Sequence, residues 1–334
     1  MQPLRLLSTN SDDDQDGCQS LPDWGMWIGV GMGVVGSIGI NVGQNFQAEA
    51  IQRIPEVHRK ECSRLWSSPL WLLGQFIFAA FSLINFAALA LAPASVLTPL
   101  ESIQFVTNIF YNRFVNKAVI STRMAAGVGL AAMGTTLTVV FGAPGNGCHT
   151  VEQLESFWVR WTWPVYVAFS LTVAAAAFVT HKRYQPYVLR LQKLRQELTE
   201  AREARRAGDG HEVELKRLAV ELEEHEVACQ AMHAELVAPI SYTLYSALIG
   251  GAQMIVHTKA VSELLFLLLQ GDDTVFIGWL VYAELTLLFA CGFTWLYKLN
   301  ECLWLYEPLL ILPLMVGTYI LFGGIAGGIF FQVG

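Results

Sequence analysis

Long apolar runs alternate with short polar ones along nearly the whole chain. They are Trp24–Phe46, Pro69–Leu91, Ser95–Phe114, Ala125–Phe141, Trp161–Thr180, Ile240–Thr258, Phe276–Leu296 and Cys302–Phe331. A helix needs roughly 20 apolar residues to cross the hydrocarbon of a bilayer, so the pattern predicts an all-α, multi-pass bundle of about eight membrane helices. A further apolar piece, Val261–Gln270, is too short to cross alone and reads as an interfacial or re-entrant helix. The tail before Trp24 is polar and acidic, with no apolar core of its own. Trp24–Phe46 is therefore expected to be an uncleaved anchor and not a signal peptide.

Composition supports this class. Hydrophobic residues make up 54% of the 334 and charged residues 15%, whereas soluble domains are about a quarter charged. The net charge of −7 lies mostly in tails and loops, and no nucleic-acid partner is expected. Orientation follows from Lys and Arg alone. They cluster after the first span (Arg53, Arg59, Lys60, Arg64), after the third (Arg113, Lys117, Arg123) and after the fifth (ten, from Lys182 to Arg217). Those three loops hold 17 of the 21 basic residues. They are expected in the cytosol, which places the N-terminus, with its Asp12–Asp14 run, on the extracytosolic side. Either the plasma membrane or an endomembrane suits this topology. No CxxC occurs among the six cysteines, and no His lies at ligand spacing from a Cys pair. Cys18 and Cys148 both fall on the outer side, where a disulfide between them is open.

One segment differs from its surroundings. In 187–236, Leu191, Leu194, Leu198 and Ala201 recur at three- and four-residue spacing. After Gly208-Asp209-Gly210, so do Leu215, Leu218, Leu222, His225, Cys229, Met232 and Leu236. This is the seam pattern of a coiled coil, folded back by the turn into an antiparallel hairpin. The first arm is basic and the second acidic, so the arms can pair. The hairpin reads either as a docking or self-association arm or as a solvated insertion. The chain thus divides into an extracytosolic acidic tail (1–23), a first transmembrane repeat (24–141), an outer loop and fifth helix (142–180), a cytosolic helical hairpin (181–238) and a second, incomplete repeat (239–334).

Apparent enzyme motifs fail on context. GxGxxG at Gly31, Gly33 and Gly36 lies inside a membrane helix and not in the βαβ unit that the dinucleotide fingerprint requires. Gly25, Gly29 and Gly33 read better as a close-packing face. His211 and His225 each begin a His-Glu pair without the second His of a zinc protease. No enzyme and no cofactor is expected.

The polar residues within the spans are more informative. Residues three and four apart share a helix face. Ser37, Asn41, Gln44 and Asn45 line one side of the first span, and Gln75, Ser82 and Asn85 one side of the second. Glu101, Gln104, Asn108 and Asn112 do so on the third, and Ser246, Gly250, Gln253 and His257 on the sixth. Acyl chains offer such groups no hydrogen bonds, so they must face one another or water. Four such faces favour a polar pathway over packing glue. Glu101, Glu284 and Glu307 add carboxylates, and an intramembrane carboxylate is a functional candidate by default. His257 and Lys259 are expected near the outer surface, where they can snorkel.

A shift of 214 residues brings Gly36 onto Gly250, Val42 onto Val256, Pro99 onto Pro313 and Leu100 onto Leu314. Spans 1–3 would correspond to spans 6–8. An odd number of crossings between them would invert the second copy, an architecture of secondary transporters. "INFAALALAPASVLTPLESIQFV" at 84–106 and "YKLNECLWLYEPLLILPL" at 297–314 resemble the NIPA-type magnesium transporters of the drug/metabolite transporter superfamily. That resemblance implies an outside N-terminus, about nine helices and, as substrate, Mg²⁺. Glu101-Ser102-Ile103 stands where the family has Gly-Ala-Leu. The hairpin is unusual, and the last helix of the family is missing from the segment in hand.

The expectation is a transporter of Mg²⁺ or another divalent cation working by alternating access. Glu101 and Glu284 would supply carboxylates to the ion, and Asn41, Gln44, Asn45, Asn85, Gln104 and Asn108 would bind its hydration shell. Gln253, His257 and Glu307 complete the expected pathway. Two rivals stay open: transport of a small organic metabolite, with aromatic residues beside the amides, and a non-transporting scaffold acting through its hairpin. The orientation is tested by impermeant thiol labelling of intact cells. Cys18 is expected to react and Cys62 to be protected, and the opposite pattern would overturn the topology.

Overall fold

The computed structural model describes residues 23–53, 66–92, 94–117, 122–141, 149–206, 212–271, 273–306 and 308–331. Among them every regular element is a helix. The first part contains α1 (Asp23–Gln52), α2 (Pro69–Leu91), α3 (Ala94–Leu100), α4 (Ile103–Phe114) and α5 (Thr122–Phe141). Then come α6 (Val151–Val159), α7 (Thr162–Arg206) and α8 (Glu212–Ala231). The last part contains α9 (Ala234–Ser246), a π-helical turn (Ala247–Gly251), α10 (Ala252–Leu269), a 3-10 turn (Asp273–Phe276), α11 (Leu280–Leu305) and α12 (Pro308–Phe331).

Among the described residues five helices, α1, α2, α7, α11 and α12, carry stretches long and apolar enough to cross a membrane. Their outward faces suit lipid: Phe76 and Leu83 of α2, Phe169 of α7 and Phe293 of α11 are all exposed. The other three expected spans are helical but divided or shorter. Ser95–Phe114 is split at Glu101-Ser102 into α3 and α4. Pro99 lacks an N–H, so the carbonyl one turn back loses its partner. The chain then tightens into three-residue turns, Ser102 N–H to Pro99 O (2.9 Å) and Gln104 N–H to Glu101 O (3.0 Å). Ala125–Phe141 lies within α5, and Ile240–Thr258 within the continuous α9–π–α10 helix.

Val261–Gln270 is not a separate interfacial helix. α10 runs unbroken through Leu269, and Val261, Leu264 and Leu267 are buried in its apolar face. His257 and Lys259 had marked the end of the span; both are paired inside the bundle, so the helix passes through them. α7 likewise continues past residues 180–181 to Arg206, with Pro186 inside it.

α8 packs alongside α7. Leu191, Leu194 and Leu198 of α7 and Cys229 of α8 are buried, and Leu222 and Met232 pack against the core. Arg190 pairs with Glu221, and Arg195 reaches both Glu226 and Glu235 at 3.0 Å. The hydrogen bond from Arg190 holds the Glu221 carboxyl below the usual carboxylate range. His225 Nε2 donates to Tyr187 O at 2.9 Å. The expected seam departs from its pattern at Leu236, which is exposed. His233 has φ +50°, and that left-handed residue resets the helix phase between α8 and α9. The Gly208-Asp209-Gly210 turn lies outside the described residues, as do Cys18, Cys62 and Cys148.

The closest helix pair is α1 and α2. A Cβ on Gly43 would lie 2.7 Å from Phe78 N and 2.8 Å from Gly74 O; one on Gly74 would lie 2.8 Å from Gly43 O and 2.9 Å from Gln47 N. The two backbones therefore touch where both residues lack a side chain, the small-residue contact of membrane helices. The packing face expected at Gly29 and Gly33 does meet neighbours, Ala92 and Leu97, and it extends through Gly36 to Gly43. Gly31 meets nothing within 4 Å. In purified protein, Gly74→Val is expected to lower unfolding stability by about 1–3 kcal/mol, as overpacking does, while Gly31→Ala leaves it unchanged. Equal effects of the two in a thermal melt would refute this packing account.

Candidate functional site

Two kinds of polar site lie within the bundle. The first is a track of amides. Ser37, Asn41, Gln44 and Asn45 of α1 are buried, and so are Gln104, Asn108 and Asn112 of α4; the two helices pack on each other. Each helix carries an amide ladder at four-residue spacing. Asn45 donates to Asn41 Oδ1 (3.0 Å), Asn112 to Asn108 Oδ1 (3.0 Å) and Asn116 to Asn112 Oδ1 (2.9 Å). At one end Tyr111 of α4 donates to Glu49 of α1 (3.2 Å), and Glu49 also pairs with Arg53. Ser37 Oγ, Gln44 Oε1, Gln104 Oε1 and Asn108 Nδ2 are buried with no hydrogen-bond partner in the protein. An unpaired buried polar atom costs about 1–3 kcal/mol, so four of them in one layer call for water or a polar cargo.

Glu101 stands at the other end, at the break between α3 and α4. Asn85 of α2 donates to Glu101 Oε1 at 3.4 Å, and the Tyr319 hydroxyl of α12 donates to the same oxygen at 3.5 Å. Both bonds are long. The carboxylate opens on a cavity of about 290 Å³ between α2, α10, α11 and α12.

The second kind is a set of closed charge pairs. Glu284 of α11 is fully buried. Trp158 of α6 donates to its Oε1 (2.8 Å), and His257 Nδ1 of α10 lies 2.7 Å from its Oε2. Trp158 also stacks on the His257 ring, with centroids 6.0 Å apart. Two residues further along α10, Lys259 sits 3.1 Å from Glu263 Oε1, a charge contact more than an aligned hydrogen bond. Lys259 also donates to Leu89 O (3.0 Å), at the end of α2. His149 Nδ1 lies 2.9 Å from Glu263 Oε2. His257 and Lys259 therefore do not snorkel: their heads are spent on internal partners.

Glu101 and Glu284, expected to act on one ion, share no partner among the described residues. Asn85 and Glu101 are brought together. Asn41 with Asn45, and Gln104 with Asn108, line the α1–α4 layer. Gln253 is half-buried on α10, and Glu307 lies outside the described residues. Among the described residues no three His, Cys, Asp or Glu side chains gather as a metal cage, and Mg²⁺, which keeps most of its waters, seldom uses one. Sequence reading missed Trp158, His149, Glu263 and Tyr319. Glu263 carried a signal, four residues after Lys259 on a helix. The others meet their partners only through the tertiary fold.

These features define a polytopic helical membrane protein with a polar interior. The family model described as magnesium transporter NIPA matches residues 25–189. A probable magnesium transporter NIPA8 from Arabidopsis thaliana is 24% identical over 92% of this chain and 63% of its own length. NIPA-like protein 2 from Mus musculus is 27% identical over 47% of this chain and 40% of its own. Probable magnesium transporter NIPA2 from Arabidopsis thaliana is 27% identical over 35% of this chain and 34% of its own. The chain spans less than two thirds of the length of these relatives. No solved structure matches it. Over residues 25–189 the chain resembles the NIPA magnesium-transporter family, and it is an integral membrane protein.

The Glu284–His257 contact is testable as a strut. Removing one partner of a buried pair costs about 3–5 kcal/mol, whereas replacing both with apolar residues is often neutral. His257→Leu is expected to cost that much in an unfolding assay, and His257→Leu with Glu284→Leu to recover most of it. Additive losses in the double variant would exclude direct coupling.

Proposed function

We propose that the chain is a membrane transporter of a divalent cation, Mg²⁺, working by alternating access. The observation that carries this reading is the amide track of α1 and α4, with four unpartnered buried polar atoms and the carboxylate of Glu101 at its end. Amide and carboxylate oxygens are hard acceptors that hold the waters of a hydrated ion and need to displace few of them. The names of the relatives select magnesium; the geometry selects a polar cargo. On this reading the α7–α8 hairpin is an arm on the transporter, free to dock a partner or a second copy, and the scaffold alternative is tested by deleting it and measuring flux.

Spacings that fit an internal repeat support the mechanism. Leu91 and Leu305, which end α2 and α11, are 214 residues apart, and so are Ala94 and Pro308, which begin α3 and α12. At the same offset Gly36 approaches the backbone of Phe81 and Gly250 that of Trp295, each at 3.2 Å from a built Cβ. Two halves built alike and inverted are what rocking about a central site requires. The second half departs from the first in its π turn, and the first from the second in its break at Glu101. Discontinuous helices of this kind line the binding sites of many transporters.

In proteoliposomes, Glu101→Gln and Asn41→Leu are each expected to cut Mg²⁺ flux per folded molecule by about tenfold or more, the scale of one lost charge-assisted contact. Glu101→Gln keeps the size and hydrogen bonding of the side chain and removes the charge. Wild-type flux in both variants would reduce the track to packing glue. Loss of yield with unchanged flux per molecule would do the same.

A further inference from the structure

The surroundings of Glu101 differ from those of the other carboxylates in the bundle. Glu284 faces His257, Glu263 faces Lys259 and His149, Glu301 pairs with Lys298 at 2.7 Å, and Glu49 pairs with Arg53. No described Lys, Arg or His pairs with Glu101. Its partners are two neutral donors at long range. An uncompensated carboxylate in an apolar bundle is costly, and a cation is the ligand that removes the cost.

The rest of the cavity says which kind of cation. Trp295, Tyr319, Phe78 and Phe86 form its aromatic walls, and most of what remains is aliphatic. Besides Glu101, the polar groups on the lining are few: the Asn85 amide and the hydroxyls of Ser82, Thr258 and Tyr319, with the Ser82 and Thr258 protons given to Phe78 O (2.7 Å) and Met254 O (2.6 Å). A hydrated divalent ion points water hydrogens in every direction, and most of this wall is apolar or aromatic and cannot receive them. An alkylated ammonium has the opposite needs: one counter-charge, apolar contact around it and aromatic faces for the cation.

The aromatic wall is built into the fold. Trp295 and Tyr319 rings pack 5.2 Å apart at an interplanar angle of 31°. A Cβ on Gly251, at the end of the π turn, would lie 2.9 Å from atoms of both rings. The wider π turn thus presents a glycine where the two rings need room. Tyr319 belongs to both parts of the site, with its ring in the wall and its hydroxyl on Glu101.

We propose that this cavity binds an organic ammonium ion, a protonated or quaternary amine, which shares Glu101 with the inorganic cation. The site rests on the reading of Glu101 as a cation-binding carboxylate, and it adds a second ligand class at the same residue. Both ligands need the one Glu101 carboxylate, so amine and Mg²⁺ compete.

The test uses the full chain in detergent or nanodiscs, with tetraethylammonium as probe. Isothermal titration is expected to show saturable binding that Mg²⁺ weakens, that Glu101→Gln weakens by about tenfold or more, and that Trp295→Leu weakens several-fold. A wild-type measurement covers variants that fail to fold. A hydrophobic carbodiimide is expected to modify Glu101, and saturating tetraethylammonium to protect it, as read by mass spectrometry. No saturable binding, equal affinity in folded Glu101→Gln, or unprotected Glu101 would each overturn the proposal. Amine binding with no Mg²⁺ flux in proteoliposomes would refute the divalent-cation reading and leave the amine site standing. Mg²⁺ flux without amine binding would do the reverse.

Discussion

Hydrocarbon gives a polar atom nothing to bond with, and the interior of this protein is arranged around that constraint. Each amide or carboxylate that the sequence places in a membrane helix must find a partner, a water or a cargo. The structure handles them in two ways. On the side of α6, α10 and α11 the charges are closed: Glu284 has both oxygens engaged, one by Trp158 and one by His257, and Glu263 holds Lys259 and His149. Around α1, α4 and α3 they are left open, with unpartnered amide atoms and a carboxylate that meets only neutral donors. Closed pairs fix helices to one another. Open groups do not fasten one helix to another in this way, and the proposed path rests on that difference.

Much of the fold was legible along the chain because lipid imposes a simple rule. The apolar runs located the helices, and the three- and four-residue spacing of Ser37, Asn41, Gln44 and Asn45, and of Gln104, Asn108 and Asn112, correctly put each set in the interior. The charge complementarity of 187–236 foretold Arg190 with Glu221 and Arg195 with Glu226. Helix ends were read less well. His257 and Lys259 looked like a boundary because a charge in lipid usually is one. The partners that carry α10 past them, Glu284 and the Leu89 carbonyl, come from other helices. Periodicity reports which face of a helix is polar, and it is silent on which distant residue will meet that face. Trp158 and Tyr319 were missed for this reason: each joins its carboxylate across more than a hundred residues.

Two departures from regular helix meet the same cavity. The break after Pro99 brings Glu101 to the cavity from one side, and the π turn ending at Gly251 makes room for Trp295 and Tyr319 on another. Neither arises from weak helix-forming sequence alone. Pro313, 214 residues after Pro99, sits inside α12 without breaking it, so a proline alone is not sufficient. What differs in the first half is Glu101-Ser102, two polar residues directly after the helix has lost a hydrogen bond. A carboxylate there gains from the distortion, because an unwound segment can turn its side chain into the cavity and away from acyl chains.

That placement also bears on how one carboxylate could serve two ligand classes. Glu101 comes two residues before α4, the helix that carries Gln104, Asn108 and Asn112, and its carboxylate lines the aromatic cavity. A hydrated ion finds acceptors toward α1 and α4; an alkylated ammonium finds ring faces toward α10, α11 and α12. The charge is common to both, and the surroundings sort the two by how each prefers to lose water. An inorganic ion keeps its shell and needs oxygens to receive it, whereas an organic ion gains by leaving water behind. Discrimination at such a site is set by the two walls and only weakly by the carboxylate. Changing an aromatic residue should therefore shift the balance between ligands, whereas changing Glu101 removes both.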